Sequence, residues 1–324
     1  MRFGVEFVPY MKIEKMVKLA REVERGGFEQ IWVCDHYHNR NVYVALAEIA
    51  RMTRRVKLGP GVTNPYLVHP AVTANAIGTL QELSRGRGML GISAGDRFFL
   101  QTVGVKRRKP IQAVREAITI IRGLLRGERV EFKGEVFECH GSLRFRPDDE
   151  IPIYVGGRKR QMLKLAGEMA DGALINASDP ADIQECIGYI REGLKKEGKK
   201  NFDSVAYMVV SIDRDLEKAR KAARGVVAFV AASAPESSLE RHGISLEDVK
   251  RVRKMLATGR LADAREAVNE KMIGAFSICG KVDEFAARIE ELKKLGVTTA
   301  VAGFPIGPKP EAALREIFKE VGGG

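Results

Sequence analysis

Acidic and imidazole side chains are concentrated in residues 32–39, WVCDHYHN, directly after an apolar run. Asp35, His36 and His38 are residue types that bind zinc, but a structural zinc site needs four ligands and a catalytic site needs three. The two histidines would point to opposite sides if the segment stayed extended, and the other histidines of the chain have no ligand spacing. We therefore expect no metal, and expect a histidine in such a loop to be a hydrogen-bonded structural residue.

Three carboxyl groups are stronger candidates for chemistry. Glu6 lies inside the apolar segment FGVEFV, Asp35 follows a second apolar segment, and Asp96 follows a later one, GMLGISAG. A glutamate within an apolar strand requires an explanation, because burying a charge is costly. Where three carboxyl groups share an apolar rim, burial and mutual repulsion raise their pKa, so that one can donate a proton near neutral pH. The alternative for Asp35 and Asp96 is that each caps a helix or pairs with an arginine.

Two glycine-containing segments are candidates for binding a ligand through the backbone. In LGPGVTNPY, residues 58–66, two glycines and two prolines indicate either an ordinary tight turn or an unusual backbone, including a non-proline cis peptide bond, against which a ligand packs. In GGRKRQ, residues 156–161, glycines and three cations precede a helix, which suits a phosphate; the alternative is a flexible basic turn. The sequence has no Rossmann, Walker or G-x-S-x-G motif, so NAD, ATP and esterase chemistry lack their usual signals.

A scaffold must position these residues, and the chain alternates apolar, strand-like segments with amphipathic helical ones. The predicted strands are residues 3–8, 30–35, 56–62, 88–95, 151–157, 172–178, 204–213 and 298–304. The predicted helices are residues 13–27, 41–53, 69–84, 109–127, 160–170, 180–198, 282–296 and 310–321, with an interrupted helical tract over 214–272. Eight such units predict an α/β fold, a (β/α)8 TIM barrel with insertions, and a doubly wound open sheet is the alternative.

A hairpin and a helical insertion interrupt this alternation of strands and helices. Residues 128–145 have the pattern of a hairpin that turns at Lys133-Gly134. We therefore expect a single barrel domain over residues 1–324, with a hairpin insertion near 128–150 and a helical insertion near 234–280. The active site of such a barrel lies at the C-terminal ends of its strands. Glu6, Asp35 and Asp96 should then meet at one mouth, together with both glycine-containing segments.

Composition limits the remaining possibilities. Of the 324 residues, 45% are hydrophobic and 30% are charged, which is typical of a globular protein, and the longest apolar runs are too short to span a membrane. The four cysteines are scattered, so we expect reduced thiols and a cytoplasmic protein. The net charge is +12, but basic residues are interleaved with acidic ones and no nucleic-acid-binding motif accompanies them. We expect neither a nucleic-acid nor a membrane partner.

Several segments together resemble one family. FGVEFVP, CDHYHNRNVY, KLGPGVTNPY, ANAIGTLQELSRGRG, DGALINAS, FVAASAPESSLERHG and VAGFPIGP are similar to the coenzyme F420-dependent methylenetetrahydromethanopterin reductases of archaea. That family belongs to the luciferase-like flavin and deazaflavin barrels, and the resemblance extends from residue 1 to about residue 308. It implies hydride transfer from reduced F420 to the methylene carbon of a tetrahydromethanopterin-type substrate, with the protein supplying position and electrostatics. It also implies a homodimer or homotetramer.

The resemblance also assigns roles to individual residues. It implies that Glu6, Asp35 and Asp96 flank the reacting pterin as catalytic carboxyl groups, with Glu6 stabilising the cationic iminium form or managing its proton. It implies a non-proline cis peptide at Gly61–Val62, against which the deazaflavin ring rests. The implied cofactor-binding residues are His36, Gly61, Val62, Thr63, Asn64, Ser93, Gly95, Asn176, Ala177 and Ser178, with Gly156, Gly157 and Arg158 at the phosphate.

Two other hypotheses remain open at the level of sequence. Residues 93–105 and 156–161 depart from the usual pattern of that family, which leaves room for an F420- or FMN-dependent oxidoreductase of the same fold with another substrate. A non-catalytic, basic RNA- or surface-binding barrel is the third hypothesis, because a fold of this type hosts many functions. Salt-dependent nucleic-acid binding without F420 binding would favour it.

Overall fold

The computed structural model describes residues 1–197 and 201–321; the last residue of the predicted helix 180–198 and the final three glycines lie outside this part. Its strands are β1 Arg2–Phe7, β2 Gln30–Val33, β3 Lys57–Pro60, β4 Leu90–Ile92, β5 Val130–Lys133, β6 Glu138–Gly141, β7 Ile153–Gly157, β8 Gly172–Ile175, β9 Asp203–Ile212, β10 Ile278–Gly280 and β11 Thr299–Ile306. Its helices are α1 Ile13–Arg25, α2 Val42–Met52, α3 Pro70–Ser84, α4 Arg97–Thr102, α5 Pro110–Leu125, α6 Arg160–Met169, α7 Pro180–Glu197, α8 Leu216–Ser233, α9 Glu236–Arg241, α10 Leu246–Ala257, α11 Leu261–Glu266, α12 Glu270–Phe276, α13 Val282–Lys294 and α14 Pro310–Val321.

Parallel strands form the centre of the fold. Their order is β3-β2-β1-β11-β9-β8-β7-β4, and β10 is an additional partner of β9. Two isolated parallel bridges, Leu58 to Gly88 and Thr63 to Ile92, join the β3 and β4 segments and close the ring. The expectation of a (β/α)8 barrel is therefore confirmed, and the open-sheet alternative is wrong. All strand C-termini face one side of the ring, as parallel pairing requires.

Apolar side chains fill the ring and its outer layer. The interior contains Trp32, Met89, Tyr154, Leu174, Val205 and Val301. A larger core packs the outer faces of the strands against the helices, which explains why the strands are apolar on both faces. A third cluster joins α8 to α9–α12. The apolar residues 226–232 of α8 are part of this third cluster within the chain. Within the described residues, no helix is both long and apolar enough to cross a membrane.

Some element boundaries differ from the predicted ones for local reasons. The predicted strands 56–62 and 88–95 end at Pro60 and Ile92, where the chain turns into the mouth. The helical tract 214–272 is divided into five helices, because Pro235, Gly243 and Gly259 interrupt it and Asn269 caps the start of α12. The helix α4 and the strand β10 were not predicted. Each is too short for a periodic pattern, and Asp96 caps the first while pairing with β9 defines the second.

A polar network closes the N-terminal end of the ring. The Asp203 carboxylate is 6% exposed and accepts hydrogen bonds from Tyr154 (3.1 Å), Gln30 (3.3 Å) and Thr299 (2.8 Å). The guanidinium of Arg2 lies 2.9 Å from Asp203 Oδ1. Because these partners come from four different strands, Asp203 connects strands that are distant in sequence. A buried charge needs such partners, since an unpaired one destabilises the fold strongly.

Glu116 anchors the hairpin insertion. This carboxylate is 1% exposed and accepts from the backbone N–H groups of Glu135 (2.7 Å), Val136 (2.9 Å) and Phe137 (2.8 Å) in the turn between β5 and β6. The hairpin predicted over 128–145 is therefore present, with its turn at 134–137.

The substitution Glu116→Ala is expected to lower the free energy of unfolding by about 2 to 4 kcal/mol, because it removes the acceptor from three backbone donors at once. Chemical denaturation monitored by circular dichroism measures this change. Glu128→Ala is the matched control, since Glu128 makes an exposed ion pair with Arg126 and should change stability by less than about 1 kcal/mol. Equal effects of the two variants would contradict the anchoring role.

Candidate active site

Glu6 is the carboxyl group near the end of β1, at the C-terminal mouth of the barrel. It stands opposite Trp32 of β2 in the barrel register, and its Oε2 atom accepts a hydrogen bond from Phe304 N at 3.0 Å. Burial raises the pKa of Glu6 to about 7, while the Phe304 N–H and the Tyr207 hydroxyl act in the opposite direction. A neighbouring glycine makes room for the carboxyl group, because a Cβ on Gly303 would lie 3.1 Å from Oε2. Glu6 can therefore exist in both protonation states near neutral pH.

Asp35 is the second carboxyl group at the mouth, directly after β2. It is partly buried, and burial raises its pKa while the Thr63 hydroxyl lowers it. The preceding residue, Cys34, is buried, and its thiol pKa is raised by burial and by the charges of Glu6 and Asp35. Glu6 and Asp35 thus belong to one electrostatically coupled site. The predicted convergence of these two residues is present in the structure.

Asp96 occupies a different position from the other two carboxyl groups. It is exposed and caps α4, where its Oδ1 accepts from Phe98 N at 2.7 Å and Phe99 N at 3.3 Å. The structure therefore shows the helix-capping alternative for Asp96. Its charge still acts on the site, because it opposes the lowering of the His36 pKa. A short helix cannot be recognised from periodicity, which explains why the sequence did not distinguish the two possibilities.

The two histidines of the opening segment stack on each other. Their ring centroids lie 5.4 Å apart, and the Phe99 ring packs against His36 at 4.6 Å and His38 at 4.7 Å. The two rings lie on the same side, because the segment does not stay extended after β2 but turns at residues 37 and 38. Burial and the neighbouring His38 lower the pKa of His36 to about 4, so its ring is neutral at physiological pH. His36 Nδ1 lies 3.3 Å from the Cys34 sulfur.

Another group of residues with metal-binding side chains lies next to the segment that follows β8. Asp179, Asp182 and His242 bring one ligand atom each within 4.8 Å of the others, although His242 has no recognisable ligand spacing in the sequence. Arg241 forms an ion pair with Asp182, and Ser238 donates to the same carboxylate at 2.7 Å. These partners already satisfy the charge, so the group is an ion-pair network between α7 and α9.

The segment after β3 has the unusual backbone that the sequence raised as a possibility. The Gly61–Val62 peptide bond is cis, which confirms that expectation. A Cβ on Gly61 would lie 2.8 Å from both Trp32 Cβ and the Tyr207 oxygen, so this position requires glycine. Thr63 is buried and its backbone bonds to Gly91 and Ser93.

The next residues along this rim take part mainly in local hydrogen bonds and turns. The Asn64 side chain accepts from the backbone of residues 66 and 67. Gly95 has a φ of +69° beside Asn64, a conformation that favours glycine. Ser93 is partly buried between them and follows β4 directly. These residues therefore shape the rim mainly through their backbone.

The residues that follow β7 and β8 form hydrogen bonds with the helical insertion. The guanidinium of Arg158 donates to the Val230 carbonyl and to Ser233 Oγ of α8, and lies 5.9 Å from the centre of the Phe276 ring. Burial lowers the pKa of Arg158 to about 10. A Cβ on Gly156 would lie 2.9 Å from Val62 Cγ1, which brings the β3 and β7 rims into contact.

In the segment 176–178 after β8, two residues are buried and one is exposed. Ser178 is buried, donates to the Phe276 carbonyl at 3.2 Å and accepts from Val209 N at 3.1 Å. Ala177 is buried beside it, whereas Asn176 is exposed. Gly157 accepts from Asn176 N at 3.3 Å and so links this segment to the one after β7. Of the three residues, Asn176 presents its side chain to solvent at the mouth.

Sequence reasoning missed several aromatic residues of the mouth. Tyr207 of β9 donates to the Gly61 carbonyl at 3.1 Å, and Phe229 of α8 stacks on Phe99 at 5.5 Å. The signal for Tyr207 was a single polar-tipped aromatic residue in the apolar run SVAYMVVSID. Phe229 gave no such signal, because it lies more than one hundred residues after Phe99 and within an otherwise apolar helical segment.

The fold and the site define a class of protein. The protein is a parallel barrel whose sequence matches the profile of the luciferase-like monooxygenase family over residues 2–299. The chain belongs to this family, and within it to the 5,10-methylenetetrahydromethanopterin reductases. The reductase of Archaeoglobus fulgidus is 47% identical over 99% of this chain and 98% of the relative, and that of Methanolobus tindarius is 42% identical over 99% of both. The resemblance expected from the sequence is thereby confirmed.

Solved structures agree with this assignment. The coenzyme F420-dependent tetrahydromethanopterin reductase of Methanopyrus kandleri superposes with a TM-score of 0.90 at 38% identity, covering 99% of this chain and 98% of that one. An F420-dependent secondary alcohol dehydrogenase in complex with an F420–acetone adduct superposes with a TM-score of 0.84 at 21% identity. At that identity the second likeness concerns the fold alone.

Proposed function

We propose that this protein catalyses the F420-dependent reduction of methylenetetrahydromethanopterin to methyltetrahydromethanopterin by hydride transfer. The observation that carries the proposal is the full-length identity of 47% to a relative with that name. The position of Glu6 supports it, because a carboxyl group with a pKa of about 7 lies where a barrel enzyme performs its chemistry. The protein is accordingly an F420-dependent oxidoreductase acting on a carbon–nitrogen centre.

The residues of the mouth fit a flat, uncharged ring system with an anionic tail. Gly61, Gly95 and Gly156 lie at or just after the ends of three neighbouring strands, where a Cβ would meet side-chain atoms at 2.8, 3.1 and 2.9 Å, so these glycines let the strand ends pack closely around the mouth. The neutral ring of His36 and the aromatic ring of Phe99 provide apolar surface beside it. These features suit the deazaflavin ring of F420, and we propose F420 as the cofactor, with FMN as the less favoured alternative.

Each of the three carboxyl groups has a distinct proposed role. Reduced F420, when bound, supplies the hydride that reduces the methylene carbon. Glu6 stabilises the positive charge of the substrate's iminium form when ionised, and holds a proton at the site when protonated. Asp35, with its raised pKa, contributes charge beside Glu6. Asp96 acts from the rim, where it orders α4 and keeps Phe98 and Phe99 beside the site.

The residues that we propose to contact the cofactor are those implied by the resemblance to the reductase family. We propose that His36, Val62, Thr63, Asn64, Ser93, Gly157 and Ala177 contact F420 together with the three glycines named above. The hydrogen bonds of Arg158 and Ser178 run to the helical insertion, so we propose that they hold the phosphate-binding segment in place. Asn176 is exposed at the same rim and can reach the cofactor directly.

An anaerobic assay tests the proposed function. Purified protein is mixed with reduced F420 and methylenetetrahydromethanopterin, and the absorbance of oxidised deazaflavin is followed as it appears. Turnover with this pair is the expected result. F420 binding without turnover would shift the proposal to another substrate of the same barrel. Absence of F420 binding, combined with salt-dependent binding of RNA, would overturn it in favour of a non-catalytic barrel.

We also propose that the protein is a single-domain barrel that forms a homodimer or homotetramer in the cytoplasm. Apolar side chains are exposed on α2 and α3, namely Val44 (56%), Met52 (46%), Val72 (57%) and Leu83 (42%). Exposed apolar surface shared by two adjacent helices is typical of a contact between copies. The four free cysteines, as expected in a reducing compartment, support the cytoplasmic location.

The substitution Val72→Glu is expected to weaken this contact and to convert the oligomer into smaller species, because it places charges in an apolar interface. Size-exclusion chromatography with light scattering measures the change. Leu246→Glu on α10 is the control, since Leu246 is also exposed (48%) but lies on the helical insertion. If Val72→Glu and the unmodified protein have the same mass in solution, the α2–α3 face is not the interface.

A further inference from the structure

A row of aromatic rings connects three separate segments at the mouth. Phe99 of α4 lies at its centre, with its ring centroid 4.6 Å from that of His36 and 4.7 Å from that of His38. The same ring stacks on Phe229 of α8 at 5.5 Å with an interplanar angle of 25°. Phe98 packs edge-on against Phe99 at 5.2 Å and lies 6.3 Å from Phe229. All these separations are in the range that aromatic pairs prefer.

The three segments belong to strand ends that the barrel does not pair directly. His36 follows β2, whereas α4 follows β4, and β3 lies between those two strands in the closed ring. The end of α8 that carries Phe229 lies at the rim of β7, because Arg158, directly after β7, donates to the Val230 carbonyl. The row of rings therefore joins the rim after β2 to the helical insertion through α4.

The position of α4 depends on such side-chain contacts. A helix of six residues is too short to be stable on its own. Leu100 anchors it from below and is 1% exposed. Above, the Tyr37 hydroxyl and Thr102 Oγ1 share a hydrogen bond of 2.7 Å, which again links α4 to the segment after β2. Phe99 is the residue of α4 whose side chain contacts both this segment and the helical insertion.

We propose that Phe99 is a positioning residue that holds α4 as a wall of the mouth by stacking on both the histidines after β2 and Phe229 of the helical insertion. It acts through Asp96, because the Asp96 carboxylate is held by the N–H groups of Phe98 and Phe99, so that a displaced α4 displaces this carboxylate. The inference goes beyond the proposed reaction, and it rests on that reaction only where turnover is the readout.

The substitution Phe229→Ala tests this inference from the helical insertion, away from the proposed catalytic groups. Hydrogen–deuterium exchange with mass spectrometry reports the opening of α4 through the amides of Leu100, Val103 and Gly104, which donate to carbonyl groups of residues 96–101. Their exchange should become about 3- to 10-fold faster, because α4 loses an aromatic contact in its closed position. Unchanged exchange would overturn the proposal, whether or not the protein reduces methylenetetrahydromethanopterin.

The substitution Phe99→Ala should accelerate the same exchange by about 10-fold or more, because the contacts to both neighbouring segments are lost. The double variant Phe99→Ala/Phe229→Ala should be little faster than Phe99→Ala, since Phe229 then has no Phe99 ring to hold. Multiplied effects would contradict a continuous row. Phe99→Tyr keeps the ring and should restore slow exchange. If Phe99→Ala does not fold, Phe229→Ala alone decides.

Phe318→Ala is the matched control. Phe318 of α14 is also partly buried, and its ring packs against Phe28 at 4.7 Å at the N-terminal end of the barrel. This variant should lose stability without faster exchange in α4, and equal acceleration there would overturn the proposal. With reduced F420 and methylenetetrahydromethanopterin, Phe229→Ala should raise KM for the pterin about 3- to 10-fold with a smaller change in kcat, because substrate binding must then order α4. Phe318→Ala should leave KM unchanged.

Discussion

Replacement of Glu6 by glutamine is expected to lower kcat for hydride transfer by about 10²- to 10⁴-fold while F420 binding is retained. Glutamine preserves the shape of the side chain and can still accept from Phe304 N, but it removes both the negative charge and the exchangeable proton. Loss of kcat with little change in KM would indicate an interaction made chiefly in the transition state. Steady-state kinetics and F420 fluorescence titration provide the two measurements.

Glu29→Gln is the control for this experiment, because Glu29 is an exposed glutamate just before β2, at the N-terminal end of the barrel. It should leave both kcat and F420 binding unchanged. Full activity in Glu6→Gln would exclude a catalytic role for this residue and would direct attention to Asp35. Loss of F420 binding together with activity would instead mean that Glu6 contributes to the shape of the cofactor site.

The raised pKa of Glu6 also predicts how stability depends on pH. Between its ordinary value of 4.5 and its folded value of about 7, the folded protein binds more protons at this group than the unfolded chain does. Stability contributed by this group is therefore present at low pH and is lost as pH rises through that interval. At pH 8 Glu6→Gln should be more stable than the unmodified protein by about 1 to 3 kcal/mol, measured by denaturant unfolding. Such a gain would show that the site retains a destabilising charge for function.

The substitution Asp203→Ala is expected to lower the free energy of unfolding by about 3 to 5 kcal/mol, the second large effect. The carboxylate receives hydrogen bonds or an ion pair from four strands, and its removal leaves the Arg2 guanidinium, the Tyr154 hydroxyl and the Gln30 amide without their acceptor. Thermal and denaturant unfolding measure the loss. The folded fraction should keep its F420 affinity, because the network lies at the end of the barrel opposite the mouth.

An exposed aspartate that forms an ion pair is the control for Asp203→Ala. Asp263 forms an exposed ion pair with Arg260 three residues away, and Asp263→Ala should change stability by less than about 1 kcal/mol. If Asp203→Ala were equally mild, the network would not be holding the strands together. If it abolished F420 binding in a fully folded protein, the two ends of the barrel would be coupled in a way that the hydrogen bonds do not show.

The position of a proposed site residue was predictable where a strand defined it. Glu6, Asp35 and the Gly61–Val62 segment each follow or end a strand, and parallel strands of a barrel bring their C-terminal ends together. The sequence could therefore place them at one mouth before any contact was known. Asp96 also follows a strand, but its side chain caps a helix at the rim. Its side chain bonds to the first N–H groups of α4, because a short polar side chain before a helix is an efficient cap.

The sequence by itself determined the barrel class, because strand and helix periodicity is a local property, and it led to the proposals that the site lies at the C-terminal end of the strands and that Glu6 acts there. Only the tertiary structure decided what each side chain contacts. Tyr207 reaches Gly61 across 146 residues, and Arg158 turns toward Ser233 across 75 residues. Such contacts depend on how the ring closes and how the helical insertion packs, and neither leaves a periodic signal in the sequence.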